Sequence, residues 1–334
     1  QGDTALVADA LQELALTETP VVAVVCTMGT TDASAFDPIR KVREILDRYP
    51  NPPGYGKTVL YADAVIGWSW VYFRDYDFEA NPLQFSERIL PLLEANGRAM
   101  AELSYADAVG IDFHKAGWAP YVSSCFLYAN AEEFESLHRR GTDAYLQART
   151  PYNPMYYTLE VSRTAAGSLA GWATLKYFGI EGMQAILGGI LESKVYFYDL
   201  LMRSPDMVCV NPSDTGLVTL FRIYPEGVDA KEQFERELDD PEMRSDLIAH
   251  NRLTEAVGDK LFEWFRTGRQ IEGKYTPHMS FSTGFRCANY NRDGADADAV
   301  VYALKSFPMN VFVTPEAMRW VVRCVHEARD ELCR

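Results

Sequence analysis

Val21-Val22-Ala23-Val24-Val25-Cys26-Thr27-Met28-Gly29-Thr30-Thr31 is the stretch on which the fold turns. Its first six residues are apolar without alternation and rich in valine, which predicts a strand buried on both faces of a parallel sheet. It runs out into small polar residues, the texture of a turn. Upstream, residues 3–16 carry Leu6, Leu11, Leu14 and Leu16 at helix-like intervals, and Pro20 closes that helix. Downstream, Phe36-Asp37-Pro38 leads into a second helix over 39–49. A loop with Pro52, Pro53, Gly54 and Gly56 follows, then a short strand over 58–65 that contains VLYADAV. Strand, helix, strand in that order implies a right-handed crossover and parallel pairing. On such sheets reactive groups gather at the carboxyl ends of strands, where Thr31 and Asp63 are both expected.

Further along, residues 66–101 are aromatic and charged, with Trp68, Trp70, Tyr72, Phe73 and Tyr76, and a helix is expected over 86–103. A short apolar run at 106–111 delivers His114-Lys115 from another strand end, and 122–128 reads as a further β run. Residues 141–158 read as a loop rich in tyrosine and proline. A helical pattern covers 159–202 with an interruption around 178–182. Beyond Ser204-Pro205, strands at 207–210, 217–223 and 310–313 alternate with helices at 231–238, 243–266 and 315–332, with Pro315 in the permitted first turn. The expected fold class is α/β: part of a mostly parallel large-domain sheet, plus a smaller α+β C-terminal domain. The expected boundaries are residues 1–160 for the large-domain part, 161–203 for linking helices and 204–334 for the small domain.

Composition narrows the function classes. Hydrophobic residues make up 48% and charged residues 24% of 334, the balance of a soluble globular chain. A net charge of -15 repels phosphate backbones and anionic lipid surfaces, so neither nucleic acid nor membrane is an expected partner. No apolar run approaches the roughly 20 residues of a membrane helix. The six cysteines show no metal-ligand spacing and read as free thiols in a reducing cytoplasm, with no metal site. The chain opens without a methionine and without a secretory leader, as if in mid-domain.

Taken singly, the polar residues at strand ends have ordinary explanations. Thr30-Thr31 after a strand suits a turn or a helix cap. An Asp at a strand end is costly unless exposed or paired, and a lysine is ordinarily a surface charge. Together, on consecutive strand ends of one sheet, Thr31, Asp63 and Lys115 suit pyridoxal phosphate chemistry. A lysine amine condenses with the cofactor aldehyde. A carboxylate beside the pyridine nitrogen favours its protonated, electron-accepting form.

VVAVVCTMGTTDASAFDPI (21–39), YADAVIGWS (61–69) and GIDFHKAGWAPY (110–121) resemble successive motifs of the group II pyridoxal-phosphate decarboxylases, the glutamate, aromatic amino acid and tyrosine decarboxylase family. YTLEVSRTAAGSLAGWATLKYFGIEGM (157–183) resembles the stretch that follows the catalytic loop in that family. The likeness covers residues 1 to about 200 and fades beyond. It implies Lys115 as the Schiff-base lysine, His114 as its neighbour near phosphate or substrate, and Asp63 as the partner of the pyridinium nitrogen. Val65 would pack against the ring and Thr31 would lie near the ring hydroxyl. Asp112 takes a phosphate-side position, where a carboxylate cannot itself contact a phosphate. In the loop, Tyr152 and Tyr156 are the candidates to return a proton after carbon dioxide departs; covering a dimer interface is the other reading of the same side chains. Arg163 would hold a substrate carboxylate or cap that interface, and Arg286 is a second arginine of the same kind.

One departure bears on activity. The family's first half supplies a phosphate cup, a ring stacked on the cofactor and a dimerisation segment, and residues 1–20 cannot do those jobs. The expectation is therefore the C-terminal part of a longer enzyme with an open cofactor face, working as a homodimer or in assembly with a missing N-terminal half. The expected reaction converts an L-amino acid to its amine and carbon dioxide. Alternatives are aldehyde-forming oxidative deamination, transamination, or a non-catalytic half of a two-chain enzyme. The aromatic residues lean toward an aromatic or medium-sized substrate.

Overall fold

The computed structural model describes residues 3–136, 164–211 and 216–334. They divide into two compact units, one of residues 3–29, 36–74, 97–136 and 164–181, the other of residues 30–35, 75–96, 182–211 and 216–334.

In the first unit, α1 (Thr4–Leu16) is capped by Asp3, whose carboxylate accepts the Ala5 N–H, and β1 (Ala23–Thr27) follows. Helix α2 (Ile39–Arg48) forms because Ile39, Val42, Ile45 and Leu46 make one buried stripe among charged residues. Then come β2 (Val59–Asp63) and a 3-10 helix over Gly67–Phe73 that buries Trp68, Trp70 and Phe73. After α3 (Leu90–Ala101), β3 (Ala108–Asp112) and β4 (Ser124–Tyr128) complete a four-stranded sheet in the order β1-β2-β3-β4. The first three strands are parallel, as the crossover pattern requires, and β4 returns antiparallel to β3. Asp107 ties the far end of this sheet together. Its carboxylate accepts from Lys57 at 2.6 Å and from the Leu60 N–H at 2.7 Å, and it also pairs with Arg43 of α2.

Strand β1 departs from the expected two-sided burial. Cys26 is buried along with Leu60 and Ala62 of β2, but Val25 on the opposite face is 60% exposed, and so is 52% of Phe126 at the other edge. The valine run is physically a strand for a sheet covered on both sides, and the described residues cover one.

After α4 (Ala131–Ser136), the long α5 (Ala166–Arg203) kinks at Gly179, whose φ of 61° and ψ of -165° interrupt the helix where the sequence placed a break. The second unit contains a second sheet, all antiparallel, in the order β5-β6-β10-β9. Its strands are β5 (Met207–Cys209), β6 (Thr219–Ile223), β9 (Ser280–Ser282) and β10 (Ala303–Ser306), with β7 (Gln270–Ile271) and β8 (Lys274–Tyr275) as a separate hairpin. Helices α6 (Ala230–Asp239), α7 (Arg244–Thr267) and α8 (Pro315–Leu332) accompany it. Phe197, Leu261, Trp264, Leu304 and Val325 are buried together in its core. The expected strand at 310–313 is not formed. There the Val313 N–H turns back to the Asn310 carbonyl, and the last strand is β10, earlier in the chain. Asn310 and the nearby Pro308 favour that turn over a ladder.

Candidate functional site

Cross-strand register sets out the open face of the first sheet. Thr27, Asp63, Gly110 and Phe126 are successive partners in one row, Val25, Tyr61, Ala108 and Tyr128 form the row two residues below, and Asp112 pairs with Ser124 two residues above. Side chains alternate faces along a strand, so Tyr61, Asp63, Asp112 and Ser124 all stand on one side. Tyr61, Val65, Gly110, Asp112, Ser124 and Phe126 line a depression of about 350 Å³ there. Gly110 is needed because the Tyr61 ring crosses it: a Cβ would stand 2.1 Å from the tyrosine oxygen. Tyr61 in turn stacks on Phe126, with ring centroids 6.1 Å apart. Burial, then the charges of Asp63 and Asp112, push the Tyr61 phenol up, so it stays a hydrogen-bond donor at neutral pH.

Asp63 ends β2. Its backbone carbonyl accepts the Met28 N–H at 2.7 Å, which fixes the end of β1 against it. Its half-buried carboxylate takes one bond among the described residues, from the Val65 N–H at 3.3 Å. An ionised carboxylate has about four acceptor sites, so Asp63 keeps capacity for a cationic partner.

Lys115 follows β3 in a tight loop. The Phe113 N–H reaches the Ser123 carbonyl at 2.8 Å, the Trp118 N–H reaches the Lys115 carbonyl at 3.1 Å, and the Trp68 indole N–H donates to the Asp112 carbonyl at 2.9 Å. The start of α5 closes the loop from another side, where Ser123 Oγ donates to the Gly167 carbonyl at 2.6 Å. Held this way, Lys115 Nζ lies 2.9 Å from Asp112 Oδ2. Ser124 Oγ donates to Asp112 Oδ1 at 2.6 Å, and His114 Nε2 lies 3.4 Å from Oδ2. Burial raises the Asp112 carboxyl, but the Ser124 hydroxyl, the Lys115 ammonium and His114 outweigh it and hold it below the usual carboxylate range. The other ring nitrogen of His114 faces the Ser123 backbone, 2.9 Å from its oxygen and 3.1 Å from its nitrogen, and the ring lies against Tyr121 with centroids 4.1 Å apart.

Asp63, Val65, His114 and Lys115 therefore belong to one compact unit. Thr31 does not. It is exposed, on a segment that belongs to the second unit, where its neighbour Asp32 accepts from Ser282 at 2.7 Å and pairs with Lys305 at 2.9 Å. The threonine in the Asp63 row is Thr27, which sequence reasoning passed over; its spacing of two from Val25 carried the signal. Tyr152, Tyr156 and Arg163 lie outside the described residues. Arg286, in the second unit, is exposed and donates to the Asn289 side chain at 2.5 Å. His250 and His326 have carboxylate partners, Glu237 at 2.5 Å and Asp206 at 3.1 Å. Among the described residues no three His, Cys, Asp or Glu side chains could hold a metal ion, and no helix is long and apolar enough to cross a membrane. The cysteines are free.

The residues fit part of pyridoxal phosphate. A carboxylate with unused acceptor capacity suits a pyridinium, and an amine on the same face suits an aldehyde. Asp112 is an anion and no phosphate ligand.

No family model matches the chain. A protein of Methanoculleus marisnigri named "Probable L-tyrosine/L-aspartate decarboxylase" is 30% identical over 175 residues, 52% of this chain and 38% of that protein. The L-2,4-diaminobutyrate decarboxylase of Acinetobacter baumannii is 25% identical over 213 residues, 62% of this chain and 36% of its own length. The chain thus spans well under half of the curated relatives it matches. Among solved structures, Oryza sativa TDC with PLP and tryptamine superposes with a TM-score of 0.68 at 14% identity, over 100% of this chain and 55% of that one. Mouse CSAD in its apo form gives 0.68 at 12% identity, over 98% and 56%. The fold is that of fold-type-I pyridoxal-phosphate enzymes, and in sequence and in fold this chain is similar to the group II pyridoxal-phosphate-dependent amino acid decarboxylases.

Proposed function

We propose that this chain is part of a pyridoxal-phosphate-dependent carboxy-lyase that converts an L-amino acid to its amine and carbon dioxide. The observation that carries the reading is the placement of Asp63 and the Asp112–Lys115 pair in neighbouring rows on one open sheet face, beside a depression of about 350 Å³. The names of the curated relatives point the same way. When bound, the cofactor supplies an electron sink for the bond that breaks at the substrate Cα. Asp63 would face the pyridine nitrogen and keep its proton there, Lys115 would be the amine that meets the aldehyde, and Val65 would pack on the ring. His114, fixed by the Ser123 backbone, would stand beside the phosphate or substrate. Thr31 keeps its place near the ring hydroxyl only if the second unit brings it there. Tyr152 or Tyr156 would return the proton to Cα and Arg163 would hold the substrate carboxylate.

Residues 1–160 would belong to the cofactor-binding domain, 161–203 to linking helices and 204–334 to a small domain. The uncovered face of β1 and β4 supports a requirement for further chain over the cofactor, from a longer polypeptide or from a partner in a cytoplasmic dimer.

Product analysis on the complete protein tests the reaction. Equimolar amine and carbon dioxide from one member of an amino acid panel is the expected result. Carbon dioxide with an aldehyde in place of the amine would replace simple decarboxylation by oxidative deamination. Pyridoxal phosphate fixed by borohydride should appear on the Lys115 peptide and vanish in Lys115→Ala; attachment elsewhere would overturn the site.

A further inference from the structure

We propose that Asp112 is a positioning residue for Lys115, and that Ser124 is the residue that fixes Asp112. The proposal rests on the reading of Lys115 as the aldehyde-binding amine.

Three observations converge. First, the Lys115 amine lies 2.9 Å from Asp112 Oδ2, and the two side chains are 30% and 13% exposed. That is a half-sheltered pair, less screened than a surface ion pair and without the full desolvation cost of a buried one. Second, the carboxylate is anchored independently of the lysine. Its other oxygen is held by Ser124 Oγ at 2.6 Å across the β3–β4 pair, in which Asp112 and Ser124 are direct register partners. Third, His114 Nε2 lies 3.4 Å from the same Oδ2, so the ring stays beside the carboxylate when Lys115 leaves it. The amine is thus held on the open face, close to the depression that Asp112 helps to line, by a carboxylate that is itself anchored to the sheet. Held as an ammonium, the nitrogen has its lone pair occupied. Reaction requires it to leave Asp112, whose other oxygen stays bonded to Ser124.

The test is made on the amine itself, with no cofactor present. Formaldehyde with cyanoborohydride converts a lysine to its methylamine: a C=N bond forms with loss of water and hydride then reduces it. The rate at Lys115 is read by peptide mass spectrometry in the full 334-residue chain, relative to Lys41, an exposed lysine of α2. Asp112→Asn keeps the acceptor for Ser124 and removes only the charge. It should raise the Lys115 to Lys41 ratio about threefold to tenfold, the range for a partly sheltered ion pair. Asp112→Glu, which restores the charge, should return the ratio to within about twofold of wild type. Ser124→Ala should give a smaller rise of about twofold to fourfold and carries the test if Asp112→Asn does not fold. A ratio unchanged or lowered in both Asp112→Asn and Ser124→Ala overturns the proposal. A general structural role would move Lys41 and Lys115 together and would not be rescued by Glu. Failure of the underlying reading looks different: borohydride would then fix pyridoxal phosphate on some residue other than Lys115 in the wild-type chain, whatever the Asp112 variants do.

Discussion

Gly67→Ala tests how the end of β2 is seated on the end of β1. Gly67 opens the 3-10 helix just after Asp63, and its N–H donates to the Met28 carbonyl at 3.1 Å. A Cβ at this position would stand 2.2 Å from the Met28 oxygen, 3.0 Å from its carbonyl carbon and 3.0 Å from a ring atom of Phe36. Met28 is fully buried, and its N–H is the one bonded to the Asp63 carbonyl, so the backbone it would have to push has nowhere to go. Separating the atoms to ordinary contact needs a shift of about 1 Å, which breaks the Gly67 bond at about 0.5–1.5 kcal/mol and overpacks the site by about 1–3 kcal/mol. The expected loss is about 2–4 kcal/mol, read from urea unfolding followed by the fluorescence of the buried Trp68 and Trp70. Gly56→Ala is the control, since a Cβ there meets nothing within 4 Å, and it should be neutral or slightly stabilising. If Gly67→Ala unfolded within about 0.5 kcal/mol of wild type, the close approach that places Asp63 would be wrong.

Two further perturbations address the rest of the chain. In the second unit Arg222 and Glu237 are both fully buried and paired at 2.7 Å, with Tyr224 and His250 also on the carboxylate; Glu237→Ala should cost about 3–5 kcal/mol in urea unfolding, while Arg222→Met with Glu237→Leu should recover most of it, and equal losses in both would contradict a penalty from an unpaired buried charge. In the first unit, burial raises the Asp107 carboxyl, but the Leu60 N–H, Lys57 and Arg43 outweigh it and bring it below its ordinary 3.8; its contribution is then complete above the ordinary value and lost as pH falls through the lower folded value, so the stability gap between wild type and Asp107→Asn should close in acid, and a gap unchanged from neutral pH down to about pH 2 would refute the assignment.

Much of this arrangement was legible because backbone chemistry writes itself into local pattern. The valine run of β1, the crossover to VLYAD and the short apolar strand before His114-Lys115 are each determined by residues a few positions apart. Parallel pairing then follows from the intervening helix, and it places Asp63 and Lys115 on one unit. The break in α5 was legible for a similar reason: Gly179 sits between bulky residues in an otherwise helical pattern, and it adopts a positive φ that other residues avoid. The burial of β1 was misjudged because pattern reports what a strand is built to meet, and Val25 is left largely exposed. Thr31 falls in a different unit from Asp63 because a turn can leave the sheet within three residues of the last strand position, and here the chain between Gly29 and Phe36 joins the other unit.

Asp112 shows where pattern reading stops for a physical reason. Its position three before Lys115 marks it only as one more carboxylate, and family likeness put it beside a phosphate it would repel. What gives it a role is the return of β4. The connection from Asp112 to Ser124 is short for a parallel crossover, and β4 returns antiparallel to β3, which brings the residues on either side of the turn face to face. That step was available from sequence: Pro120 and Tyr121 lie between two apolar runs, with Gly117 and Trp118 just before them. In the antiparallel register that forms, Ser124 opposes Asp112, its hydroxyl fixes the carboxylate, and the lysine three residues along pairs with an anchored charge. The interaction that could set the readiness of Lys115 is thus a consequence of strand direction, and a substitution that slipped β4 by one residue would turn Ser124 to the other face and release it.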